Sequence, residues 1–203
     1  MIKVYHSPRA RSVRVIWLLE ELGVPYELET MLLGQEAIKS ERYRRVHPMS
    51  KVPAIEDGDV TLFESGAIVE YLLERHGEGR LQPAVGTFER ALYLQWFHFG
   101  EATALPPLGD ITQHSFLRPE SERIPPVVED GKRRAALVLD TLEQGLTGKS
   151  YLCGDAFTAA DIMTGYAVSL MSLLGLLGDA HPTVAAYFAR LQERPALQTA
   201  LTT

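Results

Sequence analysis

With 203 residues, 46% of them hydrophobic and 23% charged, the chain has material for one large or two small packed domains, as in an ordinary soluble globular protein. A formal net charge of -6 argues against general nucleic-acid binding, although Arg9, Arg11 and Arg14 form a local basic cluster. One cysteine, Cys153, excludes an internal disulfide, a CxxC motif and a zinc cluster. With no signal-peptide pattern after Met1 and no apolar run near the roughly 18 to 20 residues that span a bilayer, no membrane association and a cytoplasmic location are expected.

In chain order, Ile2 to Tyr5 reads as a short strand and His6-Ser7-Pro8 as a turn. Val15, Leu18, Leu19 and Leu22 then recur at helical spacing and stop at Gly23. A second strand-like run, Pro25 to Leu33, completes a βαβ unit with parallel strands. Glu36 to Val46 is strongly charged and reads as an irregular surface helix without a clean apolar face. Val52-Pro53-Ala54-Ile55 and Thr61-Leu62-Phe63 read as an antiparallel pair across the Asp57-Gly58 turn. Pro53 is awkward there, because proline removes a ladder donor and belongs at an edge, a bulge or a cis turn. The next helix is entered through Glu64-Ser65, carries Ala67, Ile68, Tyr71 and Leu72 on one face, and ends near His76-Gly77.

Composition and period then change. Gly77 to Gly86 is rich in glycine, contains Pro83 and reads as a linker. From Phe88 onward the apolar spacing is helical. The series are Leu92, Gln95, Trp96 and Phe99; Ala135, Val138, Leu139, Leu142 and Leu146; Ile162, Met163, Tyr166, Ala167 and Leu170; and Val184, Tyr187, Phe188 and Leu191, ending at Arg194-Pro195. Between the first two, Pro106-Pro107, Pro119 and Pro125-Pro126 break any continuous helix and make Ala104 to Glu129 a long connection. The expected organisation is an α/β domain over residues 1–77, βαβ then ββα, a linker over 78–86 and an all-α domain over 87–203. Thr158-Ala159-Ala160-Asp161 ahead of an apolar run is a capping box. His6, His47 and His98 lack ligand-like spacing, so no metal is expected, and Cys153 reads as a small buried apolar residue.

Three stretches, SVRVIWLLEELGVPYE, HPMSKVPAIEDGDVTLFESGAIVEYL and YLCGDAFTAADI, together with this domain order, resemble the glutathione S-transferase superfamily over essentially the whole chain. Pairing the first stretch with WFHFGEATALPPL looks like that superfamily's bacterial and fungal branch. The resemblance implies a thioredoxin-like N-terminal domain that binds glutathione as co-substrate and a helical domain that supplies a pocket for a small hydrophobic electrophile. Pro53 would be cis, and the Val52 backbone would pair with the cysteinyl part of glutathione as an added strand. Glu64 and Ser65 would hold the γ-glutamyl carboxylate at a helix N-terminus, and Lys51 would reach the glycyl carboxylate. The competing readings are that Ser65 is a helix cap and Lys51 a solvated charge. A homodimer is also implied, with Tyr43 and Phe63 as exposed candidates, and a non-catalytic binding protein of the same fold is the alternative.

Activity in such a protein means lowering the pKa of the glutathione thiol, about 8.5 when free, so that a thiolate attacks an electrophilic carbon. The candidates are Ser12, Ser7 and Tyr5, with Arg14 as electrostatic support and the N-terminus of the first helix as a further aid. Ser12 matches the serine that begins the first helix of the branch; its competing reading is an N-cap. Tyr5 also fits sheet packing, and Ser7 the turn before Pro8. For the electrophile, Tyr93, Phe97 and Glu101 on the first long helix are candidates, with Ile111 to Phe116 closing over them. Thiol–disulfide exchange is disfavoured, because Ser7-Pro8-Arg9-Ala10 stands where that chemistry normally needs a cysteine.

Overall fold

The computed structural model of the chain describes residues 1–32 and 36–203. It divides into two compact units, Met1–Gln82 with Gln192–Thr203, and Pro83–Leu191. The first unit begins β1 (Ile2–His6), α1 (Val13–Leu22) and β2 (Tyr26–Thr30); Leu33, the end of the expected second strand, lies outside the described residues. It continues with α2 (Glu36–Lys39), α3 (Glu41–Val46), β3 (Ala54–Asp57), β4 (Val60–Phe63) and α4 (Ser65–His76). The sheet order is β2-β1-β3-β4, with β1 parallel to β2 and antiparallel to β3. This is the thioredoxin-like arrangement the sequence implies. The strands β3 and β4 join through Gly58-Asp59, and Gly58 at φ 61 supplies the left-handed turn that their twist requires.

The helix α1 is buried on nearly every side, Val13, Val15, Ile16, Trp17, Leu18, Leu19 and Leu22 being inaccessible or nearly so. It stops where Gly23, at φ 67, turns its N–H onto the carbonyls of Glu20 and Leu19. Two local expectations change. The charged stretch 36–46 does have an inner side: Ile38 and Tyr43 are buried with Tyr5, Met31, Val52 and Ala54, so Tyr43 is not a surface residue. In α4 the buried face is Ile68, Val69, Leu72 and Leu73, while Ala67 is exposed and Tyr71 donates to Asp57 at 2.9 Å.

The second unit is helical: α5 (Phe88–Ala102), α6 (Leu105–Thr112), a π-helical turn Gln113–Leu117, a short 3-10 turn Glu120–Glu122, α7 (Pro125–Leu146), α8 (Ala159–Leu173) and α9 (Pro182–Gln192). The prolines expected to keep 104–129 irregular start helices instead. Pro106 lies in the first turn of α6 and Pro125-Pro126 open α7, positions where the missing N–H would have no helical partner anyway. In α5 the buried residues are Tyr93, Trp96, Phe97 and Gly100, with Gln95 exposed. Gly100 sets that face. A Cβ there would stand 2.6 Å from the backbone C and O of Met163 on α8, and the Thr164 hydroxyl donates to the Trp96 carbonyl at 2.8 Å across the same crossing. Gly100→Ala is therefore expected to force α5 and α8 apart. The expected loss is about 3 kcal/mol, or roughly 6–12 °C in thermal midpoint; a midpoint within a degree of the wild type would refute the close approach.

The last helix, α10 (Pro195–Thr202), belongs to the first unit, which corrects the expectation that the helical domain runs to residue 203. It packs on α1, and the Arg194 guanidinium that precedes it meets Glu21 with both Nε and Nη2 at 2.6 Å. Trp17 Nε1 donates to the same carboxylate at 2.9 Å. A bidentate, half-buried pair of this kind fixes direction as well as distance, which a helical spacing pattern cannot show. Among the described residues no helix is long and apolar enough to cross a membrane.

Candidate functional site

The residues singled out in the first unit fall on two loops and one helix entry. The first loop leads from β1 into α1. Ser7 follows the strand directly, is buried, and its carbonyl accepts the Ala10 N–H at 3.1 Å. Arg9 sits at φ 63, so the chain reverses in a left-handed residue. Ser12 is fully buried; its Oγ accepts the Ser7 N–H at 3.2 Å and lies 2.9 Å from His6 Nδ1. Its backbone is already helical and its side chain caps no helical N–H. The N–H groups of Val13, Arg14, Val15 and Ile16 meet the carbonyls of Ala10, Arg11 and Ser12 at 3.0–3.1 Å, so α1 presents a dipole at this loop but no open donors.

Two of the three candidate hydroxyls are thus engaged inside the unit. Tyr5 donates to Glu56 Oε2 at 2.9 Å and packs on Tyr43 with ring centroids 5.2 Å apart. Burial, and then the bond to Glu56, push its pKa up. Ser12 is taken by His6 and Ser7. The Ser7 hydroxyl makes no hydrogen bond among the described residues.

In the second loop the Val52-Pro53 peptide is cis. The Lys51 carbonyl accepts the Tyr43 hydroxyl at 2.6 Å, tying the segment to α3, while the Lys51 side chain is exposed. Val52 makes no backbone hydrogen bond among the described residues, since the β3 ladder begins at Ala54. Its N–H and C=O are therefore available to an added strand.

At the helix entry, Glu64 holds φ 73 and ψ 111, an uncommon conformation for a side-chain-bearing residue and of a kind that gathers at binding sites. Its carbonyl accepts the Ile68 N–H at 2.9 Å, so Glu64 is the N-cap residue and Ser65, expected as the cap, is the first residue of α4. The Ser65 hydroxyl instead accepts from Arg14 Nη1 at 3.1 Å. Arg14 is fully buried and reaches α4, where it supports this position. A buried guanidinium beside a helix N-terminus, where the first-turn N–H groups lack helical partners, is suited to a carboxylate.

In the second unit Tyr93 and Phe97 are buried, at 0% and 1% exposure, with ring centroids 5.5 Å apart; Glu101 is half-buried. Ile111 is buried and Phe116 exposed. A cleft of about 320 Å³ in this unit is lined by other residues, among them Phe99, Pro106, Pro107, Leu137 and Val138, with Arg134. His6 was not singled out from the sequence, although it alternates with Ile2 and Val4 onto one buried face of β1. No group of three or more His, Cys, Asp or Glu side chains that could hold a metal ion occurs among the described residues.

The family models for the glutathione S-transferase N-terminal and C-terminal domains match residues 1–74 and 125–190. The chain is 30% identical to glutathione S-transferase 1 of Triticum aestivum, over 97% of its own length and 92% of the relative's. It is 29% identical to the disulfide-bond oxidoreductase YfcG of Escherichia coli, over 99% and 94%. Among solved structures it resembles the glutathione transferase URE2P6 from Phanerochaete chrysosporium in complex with oxidized glutathione, with a TM-score of 0.88, 27% identity and coverage of 99% and 94%.

Proposed function

Because the chain belongs to the glutathione S-transferase family, we propose that its first unit binds glutathione along Val52 and the start of α4 and activates the thiol with the Ser7 hydroxyl. The strongest support is the conjunction in one unit of a Val52 backbone without protein partners and an Arg14-backed helix N-terminus at Ser65. The first suits the cysteinyl peptide group and the second the γ-glutamyl carboxylate, with Glu64 beside it and Lys51 at the glycyl end. The thiol proton leaves to solvent, and the thiolate sulfur forms a bond to an electrophilic carbon as the leaving group departs with its electron pair. The electrophile is a small hydrophobic molecule; of the three residues expected to recognise it, Glu101 is half-buried and keeps that proposed role, whereas Tyr93 and Phe97 are buried against each other.

Retention on immobilised glutathione together with turnover of chlorodinitrobenzene tests this; absence of both overturns it, and retention without turnover favours a non-catalytic binding protein. Ser65→Ala is expected to raise KM for glutathione about tenfold with kcat little changed, because a ground-state contact to a charged group is lost. An unchanged KM would remove Ser65 from the site.

A second reading is favoured by the disulfide-bond oxidoreductase relative and by the oxidized glutathione in the complex cited above. A glutathione thiolate attacks one sulfur of a disulfide and the other sulfur leaves as thiolate. A second glutathione thiolate then resolves the mixed disulfide. The sum is one disulfide reduced to two thiols and two glutathione molecules oxidised to their disulfide, and no protein cysteine takes part. Cys153 is suited to none of these steps, since burial pushes its thiol pKa up. Consumption of a small disulfide coupled to glutathione oxidation, without chlorodinitrobenzene turnover, would favour this reading. The proposal places the protein in the cytoplasm as a homodimer, with Phe63, 40% exposed, as a contact residue; sedimentation velocity tests the dimer.

A further inference from the structure

We infer that His6 and Ser12 are positioning residues for thiol activation, acting together through the Ser7 backbone rather than on the sulfur. The inference rests on the assignment of Ser7 to the thiol. Three groups form a buried chain. The Ser7 N–H donates to Ser12 Oγ at 3.2 Å, and Ser12 Oγ lies 2.9 Å from His6 Nδ1 and 3.3 Å from the Ser7 carbonyl. His6 and Ser12 both have 0% exposure, so water does not compete for these bonds.

His6 Nε2 is buried and has no hydrogen-bond partner among the described residues. Burial favours the neutral imidazole, and the Thr203 backbone, just past α10, acts in the opposite direction to a lesser degree. A neutral ring carries its proton on one nitrogen and leaves the other as an acceptor, so Nδ1 pairs with Ser12 Oγ in either tautomer. Ser12 Oγ therefore pairs with His6 Nδ1 and, through a lone pair, holds the Ser7 N–H.

Ser7 is thereby fixed at its amide, one bond from the Cα that aims its hydroxyl. Nothing in this chain needs His6 or Ser12 to touch glutathione. It explains why a serine at the start of α1 caps nothing and a histidine ends an otherwise apolar strand face.

The test measures the pKa of bound glutathione by its ultraviolet thiolate absorbance, with kcat and KM, in wild type, His6→Leu, Ser12→Ala, the double variant and His6→Asn. The Asn side-chain amide offers both a donor and an acceptor in the place of Nδ1 and cannot titrate. Each single variant is expected to raise the bound thiol pKa by about one unit and lower kcat at neutral pH about tenfold, with KM for glutathione nearly unchanged. The double variant adds nothing further, because both residues act along one path, and His6→Asn restores the wild-type value. Unmoved thiol pKa in His6→Leu and Ser12→Ala, whatever happens to thermal stability, overturns the inference, as do additive shifts in the double variant. Wild type that forms no thiolate with glutathione would instead overturn the assignment of Ser7 and the transferase function with it, a result read before any variant is made.

Discussion

Asp161→Ala is expected to cost about 4 kcal/mol or more, enough to leave much of the protein unfolded or insoluble near body temperature. Asp161 has no accessible surface. Its Oδ1 accepts the Leu152 N–H at 3.0 Å and the Tyr187 hydroxyl at 3.1 Å; its Oδ2 accepts the Thr158 N–H at 2.8 Å and the Thr158 hydroxyl at 3.0 Å. One carboxylate therefore fastens the loop at Leu152, the start of α8 and the middle of α9. Alanine would leave the Leu152 and Thr158 amides buried without acceptors, and each such group costs about 1–3 kcal/mol. Asparagine separates shape from chemistry. Whichever way its amide is turned, its NH2 faces a backbone N–H, so Asp161→Asn is expected to lose roughly half as much as the alanine variant. Thermal unfolding followed by helical circular dichroism would measure both. A shift of only a degree or two for Asp161→Ala would show that the Thr158–Asp161 box is a local cap and not the junction of three elements.

The box itself was legible in the sequence, and so were α1 and its stop at Gly23, because both depend on residues within a turn or two of each other. The prolines misled for a physical reason. Proline forbids a helix interior and favours a helix start, and Pro106, Pro125 and Pro195 all stand in first turns. Tyr43 was lost among the charges of ERYRRV because what buries it, Tyr5 and the Lys51 carbonyl, comes from other elements. The positions proposed for glutathione, Val52, Pro53, Glu64 and Ser65, could be named from sequence, but their partners could not. Arg14 meets Ser65 across 51 residues, and Arg194 meets Glu21 across 173. Ser12 looked like the activating hydroxyl for the same reason: its position on the helix was readable, whereas the His6 ring 2.9 Å from its hydroxyl was not.

Ser7→Ala is expected to have the largest effect on activity, a fall in kcat of roughly 10- to 100-fold at neutral pH. A hydrogen bond from a hydroxyl to a thiolate is charge-assisted and stabilises it by about 1.5–3 kcal/mol, which corresponds to one to two units in the bound thiol pKa. The sign is fixed by the chemistry. The donor stabilises only the ionised sulfur, so its loss raises the pKa, and the pH–rate profile should move to higher pH while the plateau above the new pKa is largely retained. Ser7→Thr keeps the hydroxyl and should stay near wild type if the loop admits the extra methyl. Tyr5→Phe separates this assignment from the alternative: its hydroxyl is committed to Glu56, so its removal should lower stability by about 1 kcal/mol and leave the thiol pKa where it is. A raised thiol pKa in Tyr5→Phe with none in Ser7→Ala would transfer the activating role to the tyrosine. It would also detach the chain from His6 to Ser7 from the sulfur altogether, since that chain ends at the Ser7 amide and makes no contact with the Tyr5 hydroxyl.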